Sequence, residues 1–77
     1  MVLLERIKKN EKTIEADFYP ETSENFGHIE IDIESGEIKK QTHVEGFDNG
    51  YASHACRELK RIMKENVIPE KRLVMWY

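Results

Sequence analysis

Histidine is the residue type that most often binds transition metals and carries protons near neutral pH, and this chain contains three. His28 and His43 lie on either side of a segment typical of a β-hairpin with Ser35 and Gly36 at its tip. That register places His28 opposite His43, with Cβ atoms about 5 Å apart. The pattern predicts a weak transition-metal site formed by the two imidazoles with Glu30 or Glu45 nearby. The alternative interpretation is two solvated histidines on an exposed sheet face.

Acidic side chains dominate the segment between Thr13 and Ile38, which holds eight carboxylates and no lysine or arginine. If the second and third strands are neighbours, four of the carboxylates share the solvent-facing side of the sheet, namely Glu15, Asp17, Glu30 and Asp32. Such a patch would attract a basic protein partner or a hard cation such as calcium. The simpler alternative is that an exposed sheet face carries charge for solubility.

Basic side chains concentrate toward the other end of the chain, at Arg57, Lys60, Arg61, Lys64, Lys71 and Arg72. A basic helix can lie along the phosphates of a nucleic acid, which makes nucleic-acid binding an alternative function. Glutamates interleave with these residues, and the net charge of −3 disfavours attraction to a polyphosphate. We therefore rank nucleic-acid binding below a protein interaction.

Sequence motifs for catalysis are missing from the chain. Cys56 is the only cysteine, and it falls on an apolar helical stripe, as a structural thiol does. The sequence has no glycine-rich phosphate loop, no Gly-x-Ser-x-Gly turn and no His-Glu-x-x-His pair. We expect no cofactor. The remaining enzyme hypothesis is a weak metal-dependent or oligomeric enzyme whose site lies between subunits.

The size and composition of the chain limit what can position these residues. It has 77 residues, of which 39% are hydrophobic and 35% charged, and no apolar run is long enough to cross a bilayer. A chain of this size buries only about 60% of its unfolded surface, so it can build one small core. The start of the sequence does not resemble a signal peptide. We expect one cytoplasmic domain spanning residues 1–77.

Apolar and polar residues alternate up to about Val44, which predicts a four-stranded antiparallel meander over residues 1–45. A turn at residues 9–12 would pair Leu3 with Phe18, Ile7 with Ile14 and Arg6 with Glu15. The third strand would carry Ile29, Ile31 and Ile33 on its inner face. The fourth would turn Ile38 and Val44 inward, and its lysines are typical of a sheet edge.

Spacing of three to four residues after Tyr51 predicts an amphipathic helix over residues 50–67, capped by Asp48 or Asn49. Its apolar stripe comprises Ala52, Ala55, Cys56, Leu59, Ile62 and Met63. Residues 70–77 favour a short C-terminal strand over a short helix. The sequence thus predicts an α+β, two-layer fold in which the helix packs on one face of the meander.

The same elements indicate which surfaces can interact with other molecules. Trp76 and Tyr77 can either complete the core or, on an edge strand, pair with another chain, whether a second copy or a different protein. We expect a small non-catalytic interaction or accessory module without membrane contact. It would act through the acidic face or through the C-terminal edge.

Overall fold

The computed structural model describes residues 1–76. Its elements, in chain order, are β1 (Val2–Lys9), β2 (Thr13–Pro20), β3 (Gly27–Asp32), β4 (Ile38–Gln41), α1 (Asn49–Ile62) and β5 (Arg72–Val74). The five strands form one sheet in the order β4-β3-β2-β1-β5, and every neighbouring pair is antiparallel. The predicted α+β class, the meander and the C-terminal strand are confirmed. Among residues 1–76, no helix is long and apolar enough to span a membrane.

The core lies between α1 and one face of the sheet. The helix contributes its predicted apolar stripe, which is buried at Ala52, Ala55, Cys56, Leu59 and Ile62. The sheet contributes fully or nearly fully buried side chains from its three inner strands, namely Val2, Leu4, Ile7, Ile14, Ala16, Phe18, Ile29 and Ile31. Asp48 is the N-cap of α1, since its carboxylate accepts the Gly50 backbone N–H at 2.9 Å.

The helix ends at Ile62, so the predicted end at residue 67 is wrong. Beyond Met63 the backbone tightens, because Lys64 donates to the carbonyl of Arg61 and Glu65 to that of Ile62, three residues back. Pro69 further disfavours a helical conformation at the residue that precedes it. The chain therefore leaves the helix early and returns to the sheet as β5.

A β-bulge in β1 changes the predicted register of the first hairpin. Arg6 has a positive φ of 52°, and the pairing shifts between Glu5, which lies opposite Asp17, and Lys8, which lies opposite Glu15. Because two residues of β1 oppose one of β2, the face that each side chain occupies changes at the bulge.

The predicted pairings in this hairpin are wrong for two reasons. The turn is displaced by one residue, since Asn10 donates to the carbonyl of Thr13, and the bulge shifts the pairing again beyond Lys8. Phe18 lies opposite Leu4 instead of Leu3, and Ile14 lies opposite Lys9 instead of Ile7. Leu4 and Ile7 are both buried, whereas Leu3 is only partly buried. Simple alternation could not place Leu4 and Ile7 on one face, but the inserted residue does.

The second hairpin also departs from the expected register. Glu30 pairs with Lys40 and Ile29 with Gln41, and a further shift places Ile38 opposite Ile31. Ile38 is 47% exposed instead of facing inward, whereas Val44 is buried although it lies beyond the end of β4. The predicted edge position of β4 is confirmed.

Strand β5 and Trp76, two residues beyond its end, close the side of the molecule nearest β1. Val74 is partly buried against the core, and the indole of Trp76 stacks on the His54 ring with centroids 3.9 Å apart. Trp76 also meets Tyr51 edge-on at 5.5 Å. The prediction for Tyr77 lies outside the described residues.

Gly27 provides a test of the close packing between β2 and β3. A Cβ added there would overlap the Phe18 ring and lie 3.1 Å from Val44 Cγ2. We expect Gly27→Ala to lower the free energy of unfolding by about 1–3 kcal/mol through overpacking, as measured by urea denaturation. Adding Phe18→Leu should recover part of that loss. Gly36→Ala is the comparison without a steric overlap, because an added Cβ there has no atom within 4 Å. Gly36 has a positive φ of 75°, so this substitution should cost about 1 kcal/mol through the backbone conformation alone. No recovery in the double variant would contradict the steric explanation.

Trp76 tests whether the C-terminal segment contributes to stability. Trp76→Ala should lower the free energy of unfolding by about 1–3 kcal/mol, less than for a fully buried tryptophan, because the indole is only partly covered. Met75→Ala is the matched control, since Met75 is 54% exposed and should change stability by no more than about 0.5 kcal/mol. Equal effects of the two substitutions in thermal unfolding would refute the packing role of Trp76.

Candidate functional site

The face of the sheet that points away from α1, here called the open face, gathers most of the predicted site residues. Because Ile14, Ala16 and Phe18 point toward the helix, the alternate residues of β2 point to the open face. Strand pairing places Glu15 beside Glu30, Asp17 beside His28, and Thr13 beside Asp32. The four carboxylates Glu15, Asp17, Glu30 and Asp32 thus lie on two adjacent strands, but their environments differ.

Asp17 is the buried carboxylate of this group, with 9% of its surface exposed. It accepts a hydrogen bond from Arg6 Nε on one oxygen, and its other oxygen lies 2.7 Å from His28 Nδ1. Burial opposes ionisation of Asp17, but the hydrogen bonds from His28 and Arg6 outweigh it and hold its pKa below the ordinary value. Asp17 is therefore an ionised group that organises its neighbours, and little of it is open to a partner.

The contact with Asp17 also determines which ring nitrogen of His28 donates a hydrogen bond. A carboxylate only accepts hydrogen bonds, so Nδ1 of His28 must carry the proton. Nε2 is then left as an acceptor in the neutral imidazole, 3.9 Å from Glu15 Oε2. This arrangement resembles the orienting half of a general base, and it equally suits a histidine that accepts one hydrogen bond from a bound molecule.

Arg6 reaches the open face because of the bulge in β1. Besides Asp17, it donates to the Tyr19 hydroxyl, and its guanidinium carbon lies 5.6 Å from the Tyr19 ring centroid and 5.4 Å from that of Phe26. The Tyr19 and Phe26 rings are 5.1 Å apart, and Phe26 remains 52% exposed. The three side chains form an aromatic platform, defined here as Arg6, Tyr19 and Phe26.

Sequence reasoning missed the aromatic platform. Alternation along β2 places Tyr19 on the same face as Asp17, so the sequence pattern does indicate the position of Tyr19. The predicted pairing of Arg6 with Glu15 also put Arg6 on this face, but its contacts with Asp17 and Tyr19 depend on the bulge. Phe26 lies in the loop before β3, and only the folded structure brings it to Tyr19.

A charged row crosses the open face next to His28. Glu15 and Glu30 are directly opposed, and Lys8 and Lys40 lie opposite them on the outer sides, so the row reads Lys8, Glu15, Glu30, Lys40 across four strands. Two like charges that face each other destabilise a sheet slightly. The negative patch is thus narrow and bordered by lysines.

Asp32 has a local structural role. Its Oδ2 accepts both the backbone N–H and the hydroxyl of Ser35, each at 2.8 Å. These bonds lower the pKa of Asp32 and stabilise the turn that leads to β4.

The cross-strand histidine pair on which the predicted metal site depended is not formed. Thr42 lies opposite His28 instead, since its N–H donates to the His28 carbonyl and its hydroxyl accepts the His28 N–H. His43 is exposed beyond the end of β4, because the register shift moves it out of line. Within residues 1–76, no group of three or more His, Cys, Asp or Glu side chains is placed to hold a metal ion.

The predicted basic surface is partly neutralised within the chain. Arg72 bonds Glu58 at 2.9 Å and Glu65 at 2.8 Å, and Arg61 lies 3.4 Å from Glu58. Cys56 is 6% exposed, and burial raises the pKa of its thiol, which makes it a weak nucleophile near neutral pH.

The C-terminal residues divide between the two sides of the sheet. Trp76 packs near α1, so it does not contribute to the open face. Leu73 lies opposite Leu3 on the open face and is 52% exposed. Leu73, Leu3 and Tyr19 therefore form an apolar row that leads from the β5 edge to the aromatic platform.

Comparisons of the chain with protein-family models, with curated proteins and with solved structures find no match.

Asp17→Asn removes the charge that organises Arg6 and His28 while keeping the size of the side chain. We expect the free energy of unfolding to fall by about 1–3 kcal/mol near neutral pH, because charge-assisted hydrogen bonds are lost. Since the pKa of Asp17 is lowered by folding, its contribution is present above the unfolded value of about 3.9 and is lost as the pH falls through the folded value. In urea denaturation, the difference from the unsubstituted protein should therefore shrink between about pH 7 and about pH 3. Glu30→Gln, a half-buried carboxylate on the same face, serves as the control. A difference that stays constant with pH would contradict the ionised role of Asp17.

Proposed function

We propose that this protein is a small non-catalytic interaction module of the cytoplasm that binds a protein partner through the open face of its sheet. The observation that carries the proposal is the uncovered aromatic platform beside the charged row. One face of the sheet is covered by α1, whereas the other presents a half-exposed Phe26 ring held by Tyr19 and Arg6. Aromatic residues and arginine are enriched at protein interfaces, and the three side chains of the platform already contact one another in the free protein.

The aromatic platform suits an apolar group on the partner better than an anion. The charge of Arg6 is neutralised by Asp17, so the guanidinium acts mainly as a flat, polarisable support for the two rings. Phe26 then offers an apolar surface with polar groups around it, the usual layout of an interface centre and its rim.

The charged row suits a basic group on the same partner. Glu15 and Glu30 repel each other, so a lysine or arginine placed between them would relieve that repulsion as well as form ion pairs. Glu15 and Tyr19 are four residues apart on β2, which corresponds to about 13 Å along an extended strand. The partner therefore carries an apolar and a basic group separated by about that distance.

Affinity capture from an extract of cells that express the protein tests the proposal, with three variants compared side by side. Phe26→Ser removes the platform surface, and Glu15→Lys with Glu30→Lys inverts the charged row. Arg57→Gln with Lys60→Gln changes the opposite face of the molecule and is the matched control. We expect one or more proteins to bind the unsubstituted protein and the helix control but to be lost with both open-face variants.

Direct titration of the captured protein then separates the two parts of the surface. Phe26→Ser should weaken the affinity at least about tenfold at any salt concentration, because its contribution is apolar burial. The contribution of Glu15 and Glu30 should decrease as salt is added, because exposed charges are screened. Capture that survives both open-face variants and is lost with the helix control would overturn the proposal. Capture dominated by nucleic acid would also overturn it.

A further inference from the structure

We propose that two copies of the chain associate through antiparallel pairing of their β5 strands, which would join two five-stranded sheets into one continuous sheet. This inference concerns the edge of the sheet and is independent of partner binding by the open face. It depends on the direction of the β5 backbone groups, the difference between the two sheet edges, and the residues that would meet in the pair.

The backbone of β5 presents unpaired groups at Leu73. Val2 lies opposite Pro20, which has no N–H, so Leu3 and Tyr19 form the neighbouring hydrogen-bonded pair of the β1–β2 ladder. Val2 and Leu4 therefore direct their backbone groups toward β5, where they meet Val74 and Arg72.

Two further bonds fit this alternation. Glu21 donates to the carbonyl of Met1, which places the backbone groups of the odd-numbered β1 residues before the bulge toward β2. On the other side, Ile7 donates to the carbonyl of Glu70 at 3.1 Å, so the even-numbered residues of the last segment face β1. The N–H and C=O of Leu73 accordingly point away from the sheet.

The two edges of the sheet differ in how they discourage pairing. Strand β4 is exposed along its whole length and carries Lys39 and Lys40, the kind of residue that protects an edge. Strand β5 has only one charged residue, Arg72, and its guanidinium is held by Glu58 and Glu65 on the helix side. Self-pairing of β4 would bring lysines together, whereas β5 carries no such protection.

The sequence of β5 is complementary to itself when a two-fold axis passes through Leu73. Leu73 then lies beside the Leu73 of the second copy as a hydrogen-bonded pair, which exchanges two backbone bonds. Arg72 lies beside Val74 of the second copy, so no like charges are opposed within the strand. Lys71 and Met75 form the next pair on the open face. Because the axis is perpendicular to the sheet, the two open faces lie on the same side, and the exposed Leu73 side chains cover each other.

A second copy fits this edge better than an unrelated extended peptide. Leu73 continues into Leu3 on the open face, so a second copy would double the apolar row at the axis and remove the exposed leucine on both chains. The strand is short, and the interface is therefore small, which corresponds to a weak, concentration-dependent dimer.

Charge reversal at the two-fold axis provides the decisive experiment. Sedimentation velocity from about 10 μM to about 1 mM covers the affinities expected of a small interface. The unsubstituted protein should shift from monomer to dimer over this range. Leu73→Lys and Leu73→Glu should each weaken dimerisation at least about tenfold, because each places like charges face to face. An equimolar mixture of the two variants should dimerise again, since opposite charges then meet at the axis.

Controls separate this proposal from loss of folding and from the proposed function. Far-ultraviolet circular dichroism and thermal unfolding should match among the Leu73 variants, and Lys40→Glu on the other edge should leave the dimer unchanged. Phe26→Ser should dimerise normally, and Leu73→Lys should still capture the open-face partner. Hydrogen exchange in the unsubstituted protein gives a test without substitution, since the Leu73 amide should become protected as the concentration rises. A monomer at all concentrations, or a mixture that associates no better than its components, overturns the proposal.

Discussion

The structure depends on one irregularity, the β-bulge at Arg6 in β1. By inserting a residue, it allows Leu4 and Ile7 to face the helix although they are three positions apart. The same insertion turns Arg6 to the open face, where it bonds Asp17. It also directs the Ile7 N–H away from β2 to the carbonyl of Glu70, which fixes the chain entering β5. The core, the candidate site and the last strand therefore all rely on the same local conformation.

Asp17 connects the bulge to the rest of the open face. A buried carboxylate would be costly by itself, and here two donors from different strands offset that cost. Asp17 in turn orients His28 and holds Arg6 against the rings of Tyr19 and Phe26. The open face thus has a hydrogen-bonded centre at Asp17 and an exposed ring at Phe26.

The two edges of the sheet differ in charge and in their contribution to the core. The β4 edge ends in a lysine-rich strand that does not contribute to the core, whereas the β5 edge buries Val74 and Trp76 on one side and leaves Leu73 exposed on the other. Glu58 of the helix and Glu65 just beyond it neutralise Arg72, the only charged residue of β5. The edge nearest the C-terminus is therefore the apolar one, and its exposed leucine continues into the apolar row of the open face.

The class of fold follows from the amino-acid sequence alone, because alternation in the first half and spacing of three to four residues in the second each favour one element type. The sequence also determined the helix stripe and the edge position of β4, and it restricted the helix cap to Asp48 or Asn49, of which the structure uses Asp48. The alternating pattern did not determine the register of the strands. A shift of one residue moves every side chain of a strand to the other face. In the first hairpin the displaced turn and the bulge at Arg6 together made the pairing of Leu3 with Phe18 wrong, and in the second hairpin a register shift separated His28 from His43. The aromatic platform and the burial of Asp17 were decided only by the tertiary structure, because they require contacts between strands whose alignment the alternating pattern does not encode.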